Sequence, residues 1–162
     1  MIYFNKLTLI VLLFFSFTCL FSQQKINIKL SYEEIESKID EHHNDKKQIW
    51  NFINLYIKKA KQEKNSEALI YAYRYATNYS HYPENIRYSD TALAIGQKSN
   101  DKILLTNAYI NRGGIFMDES FYQKAIDDIL IANKLANELG DEFLRYRTIY
   151  LLAQNKIYLG LY

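Results

Sequence analysis

The groups in this chain whose types and spacing could do chemistry are few. Glu41-His42-His43-Asn44-Asp45 gathers two histidines and two carboxylates, a set that could hold a metal. Adjacent residues at a helix end point to different sides, however, and no pair of histidines stands four apart, so a solvated helix terminus is the plainer reading. His81, in Tyr79-Ser80-His81-Tyr82-Pro83, has no titratable partner near it in sequence and reads as a turn residue. Asp118-Glu119 and Asp127-Asp128 are paired carboxylates of the kind that serve as general acid and base. Successive side chains on a helix diverge by about 100°, so Asp127-Asp128 is expected on a solvated face or as a dipole partner. Gly113-Gly114 is no phosphate loop, since it lies in a helical pattern with no lysine-serine pair behind it, and neither a nucleophile elbow nor a zinc signature occurs. No cofactor is expected, and the expectation is binding, not catalysis.

Tyrosine is the most unusual feature, with 15 in 162 residues. Tyr71, Tyr75, Tyr79 and Tyr82 fall at spacings that stack along one helix face. Such rings bring apolar area, a polar tip and little rotamer entropy, which suits a peptide groove; the alternative is that they pack between helices.

The elements that would position these residues follow from the apolar periodicity. Ser31-Tyr32-Glu33-Glu34 is a capping box that opens a first helix over 32–42. Apolar residues then recur at three and four over 46–64, and further helices are expected over 67–80, 84–98, 102–119, 122–139 and 142–159. Pro83 closes one loop, while Asn100-Asp101 and Gly140-Asp141 each pair a turn residue with a capping aspartate.

Before all of these comes Lys6, the apolar run 7–21 and the polar break Ser22-Gln23-Gln24. That is the pattern of a signal peptide over 1–22, about fifteen apolar residues where a spanning helix needs roughly 20, with an uncleaved membrane anchor as the rival. The single cysteine, Cys19, lies inside it, so a mature chain would have neither thiol nor disulfide. The formal charge of +2 is interleaved along the chain, which argues against a nucleic-acid surface.

Gly96-Gln-Lys-Ser-Asn-Asp101 returns forty residues on as Ala136-Asn-Glu-Leu-Gly-Asp141, and the register holds for Ala92 and Ala132, Ala68 and Ala108, Gly113 and Ala153, Tyr122 and Tyr162. A period of this size with two helices per unit marks a helical solenoid. Within it, Tyr109, Gly113, Phe116, Tyr122, Ala125, Ile129 and Ala132 stand where a tetratricopeptide repeat has its aromatic and small residues, and the segment resembles that family. Residues 106–139 carry the strongest repeat; 141–162 carry a partial one that stops before its second helix, so the chain reads as interrupted. Flanking units depart from the motif, with Leu69 for an aromatic, Asn85 for a small residue and Lys156 at an aromatic position. The resemblance implies an all-α fold, a right-handed array of about three hairpins over 31–162. More loosely, an exported run of such helices, with Ile86-Arg-Tyr88-Ser-Asp90 opening a second helix, is similar to the sensor halves of bacterial AraC-type or LuxR-type regulators. There a transmembrane helix and a helix-turn-helix domain follow.

By analogy with the motif, the binding groove is expected to carry Tyr75 and Asn78, then Asn107, Asn111 and Arg112, then Gln154 and Asn155. The expected partner is a protein or peptide segment, in the periplasm or at a membrane, with membrane contact only through the N-terminal segment or a missing C-terminal helix. A competing reading is a structural spacer or homodimerisation stalk, because Ile157-Tyr158-Leu159-Gly160-Leu161-Tyr162 ends the last helix without a polar cap.

Overall fold

Five of the seven helices here start at a side-chain cap. A computed structural model describes residues 29–160, and the expected signal segment and Tyr162 lie outside them. Ser31 and Glu34 form the reciprocal capping box that opens α1 (Tyr32–Glu41). Asp45 caps α2 (Lys46–Gln62) and Asn65 caps α3 (Ser66–Asn78), each side chain accepting from orphan backbone N–H groups. Pro83 precedes α4 (Glu84–Lys98), where its missing N–H costs nothing. Asp101 and Asp141 cap α5 (Lys102–Asp118) and α7 (Glu142–Tyr158), with α6 (Tyr122–Leu139) between them. The chain is all-α: seven helices and no strand among the described residues. Expected boundaries stand within two residues of these: the C-terminal ends of α4 and α6 match, and the other five run one or two residues long.

Each helix packs on the next in sequence, and α5 also touches α3 and α7. Cross-helix contacts give the sense of the packing. Lys102 at the start of α5 reaches Glu138 at the end of α6, and Tyr122 at the start of α6 stacks on Tyr158 at the end of α7. Neighbours are therefore antiparallel. Arg147 and Asn107, both early in their helices, meet across α7 and α5, so those alternate helices run parallel.

Small residues set the separation. Gly113 lies so close to α6 that an added Cβ would stand 2.8 Å from Ile129 Cγ1, whereas one at Gly114 would meet nothing within 4 Å. The α5–α6 interface is closed by Phe116, Ala125 and Ile129, while Ile110, Ala132, Ala136 and Leu144 join α5, α6 and α7. Ile35, Ile39, Ile49, Ile53, Tyr56 and the alanines of α3 form the core at the other end.

The tyrosine face does not form as expected. Tyr79 ends α3 as its C-cap and Tyr82 lies beyond it in the loop, against Phe121, because the helix closes at Asn78. The remaining rings pack between helices, with Tyr75 at 6.3 Å from Tyr56 and Tyr73 at 6.1 Å from Tyr88.

Candidate functional site

The alternate helices α3, α5 and α7 line a half-open cavity of about 350 Å³. Tyr75 and Asn78 reach it from α3, Asn111 and Ile115 from α5, and Arg147 from α7, with Ser89 and Ala92 of α4 closing the remaining side. Arg74 lines it too. A smaller niche beside it adds Tyr71 and Asn107 and shares Arg74, Asn111 and Arg147. Helical spacing explains the gathering: Tyr71, Arg74, Tyr75 and Asn78 stand three or four apart on one face of α3, as do Asn107 and Asn111 on α5.

Of the residues expected in the groove, the structure brings four together here: Tyr75, Asn78 and Asn111 in the cavity and Asn107 in its niche. Arg112 is turned away. Its Nε and Nη2 donate to both carboxylate oxygens of Asp128 at 2.7 and 2.8 Å, and Nη1 donates to Asp90 at 2.8 Å. These two carboxylates hold its guanidinium charged well above the usual range, with the Asp128 hydrogen bond the larger cause. This corrects the expectation for Asp128 as well: it is buried, and joins α6 to α5 instead of facing solvent. Gln154 also lies outside the cavity, on the same flank of α7 as Arg147 but two turns on, and donates to the Tyr150 hydroxyl. Asn155 is fully buried, with neither side-chain nitrogen nor oxygen hydrogen-bonded. It recurs with Leu144, Thr148 and Leu151 on the inward face of α7, so it cannot reach a groove.

The histidine cluster resolves into helix-end contacts. His42 Nδ1 lies 2.8 Å from the Lys38 carbonyl and its ring packs on Phe52, while His43 Nδ1 lies 3.2 Å from the Asp40 carbonyl.

Sequence reasoning missed Arg74 and Arg147, the two basic groups of the cavity. The signal for Arg147 was present, since it stands forty residues after Asn107 and its Nη1 is 3.4 Å from the Asn107 Oδ1. Arg74 lies over the rings of Tyr71 and Tyr75, with its guanidinium carbon 4.7 and 5.8 Å from their centres. Burial first, and then the charge of Arg74, push Arg147 below its ordinary range.

Comparison with models of protein families, with curated proteins and with solved structures finds no match to this chain. Among the described residues no helix is long and apolar enough to cross a membrane.

Proposed function

We propose that this chain is a protein-binding scaffold, an exported array of tetratricopeptide-like hairpins that holds a partner segment along the face made by α3, α5 and α7. The observation that carries the reading is the cavity, in which polar side chains from three successive alternate helices converge. Repeat arrays bind in this manner because corresponding helices of successive units line one continuous surface. Three further features support the repeat reading: the forty-residue register brings Arg147 to Asn107, it places Asn100 (φ 55°) and Gly140 (φ 66°) in corresponding turns, and Gly113 gives the close helix approach such hairpins need. The apolar N-terminal run supports export, and with it a role as the sensing half of a regulator.

Selecting peptides from a displayed random library on the immobilised chain tests this. A selected peptide is expected to lose affinity about tenfold or more on the double variant Asn78→Ala, Asn111→Ala, as loss of two hydrogen bonds to a bound ligand implies. Failure to enrich any peptide, or equal affinity for the double variant, would remove the groove.

A second reading, a spacer or self-association stalk, is favoured by one observation. Phe143, Tyr146, Tyr150 and Ile157 form an outward stripe on α7 and are each 60% exposed or more, with Ala153 exposed among them. Their three-four spacing is that of a helix face made to pack on another helix.

A further inference from the structure

The chain contains five arginines, at 74, 87, 112, 145 and 147. Three are matched within the chain: Arg87 to Glu84, Arg112 to Asp90 and Asp128, and Arg145 to Glu142. Arg74 and Arg147 have no carboxylate within ion-pair distance among the described residues, and both face the same cavity and its niche. None of the residues lining either space is acidic. Two guanidiniums, each partly buried, therefore converge without an acidic neighbour in a half-open cavity.

We propose that Arg74 and Arg147 form an oxyanion site that takes the paired carboxylates of an acidic ligand into the cavity between α3, α5 and α7. This rests on the reading of that face as the binding face and names the chemistry of its ligand. A guanidinium presents five N–H donors in a planar fork matched to a carboxylate, and the 3.4 Å contact to Asn107 occupies one donor of Arg147 weakly. Arg74 is held against two tyrosine rings, and its N–H groups have no hydrogen-bond acceptor among the described residues, which leaves them for a ligand. The side chains of Asn78 and Asn111 make no hydrogen bond among the described residues and can complete the oxygen's coordination or take a peptide amide, while Ala92 and Ile115 give the ligand's methylenes an apolar wall. A volume of about 350 Å³ is roughly tenfold the ~30 Å³ share of one water, which suits a short di-acid better than a bare inorganic ion. Burial, and after it the charge of Arg74, lowers the proton affinity of Arg147, and a bound anion would offset both. Such a ligand has two sources, an acidic peptide segment or a free dicarboxylate.

Calorimetric titration of the full chain with succinate and with the blocked peptide acetyl-Glu-Glu-amide, at fixed ionic strength against a sodium chloride control, decides it. At least one probe is expected to bind, and Arg74→Gln and Arg147→Gln are each expected to weaken it about tenfold or more, the scale of a charge-assisted hydrogen bond. Arg87→Gln, on an exposed and already paired arginine, is expected to leave it unchanged. Binding of succinate alone assigns a free dicarboxylate, and binding of the peptide alone assigns an acidic segment. Without ligand, Arg147→Gln is expected to melt no lower than the parent chain, because it removes one of two like charges; a purely structural arginine would lower the melting point. Should Arg147→Gln not fold, Arg74→Gln gives the same readout. Absence of heat from both probes beyond the chloride control, or unchanged affinity in the folded arginine variants, overturns the site. Library peptides that bind without acidic residues while both probes fail would leave the scaffold reading standing and remove only this anion site.

Discussion

At the scale of single residues, most polar groups outside the cavity hold the fold together. Asp128 is buried with its carboxylate bidentate to Arg112, so removing Arg112 strands a buried charge. Arg112→Ala is expected to cost about 2–4 kcal/mol in denaturant unfolding, and a double-mutant cycle with Asp128→Ala should show strong coupling. The exposed arm to Asp90 contributes little by comparison, so Asp90→Ala is expected to cost about 1 kcal/mol or less. Asn155 has the opposite character: its amide is buried without a partner, a state that costs about 1–3 kcal/mol. Asn155→Leu should therefore raise the melting temperature. A lower one would mean that an ordered water or a bound group satisfies the amide. These roles were not legible in the sequence because Arg112 and Asn155 resemble groove residues by type and register. Which flank of a helix is covered depends on how its neighbours cross it, and that crossing is set by residues far away in the chain.

The elements themselves were largely legible, because each start is a local event. Asp45, Asn65, Asp101 and Asp141 accept from backbone N–H groups two or three residues on, and no tertiary contact is needed to foresee that. Five of the seven helix ends were placed one or two residues late, as α3 shows: periodicity carries on through Tyr79 and Tyr82 while the backbone has already left the helix. The two adjacent glycines of α5 separate propensity from packing. At Gly114 an added methyl meets nothing, so Gly114→Ala is expected to stabilise by about 0.5–1 kcal/mol through helix propensity alone. At Gly113 the same methyl collides with Ile129 Cγ1 at 2.8 Å and also approaches the Ala125 carbonyl oxygen. Gly113→Ala is expected to be destabilising by about 1–2 kcal/mol after the propensity gain, and thermal unfolding of the pair would reveal the difference in sign.

For the molecule as a whole, the outward face of α7 is the surface on which the proposed spacer or stalk reading depends. Its inward face buries Leu144, Thr148 and Asn155 against the preceding hairpin, while the stripe from Phe143 to Ile157 is exposed among the described residues. Contiguous exposed apolar area of this kind drives association. Sedimentation velocity over a wide concentration range is expected to show self-association that Tyr146→Ser with Tyr150→Ser reduces; a chain that stays monomeric throughout would count against the stalk reading. The sequence by itself determined that the described residues are helical and, to within one residue, where each helix begins, since caps and three-four periodicity act within a turn or two of the backbone. The tertiary structure alone decided that Arg112 is tied to Asp128, that Asn155 is buried, and that Arg74 and Arg147 share a cavity with Asn78 and Asn111. Those outcomes depend on the approach of α3, α5 and α7 across their neighbours, and such approach distances are fixed by packing over the whole run of helices.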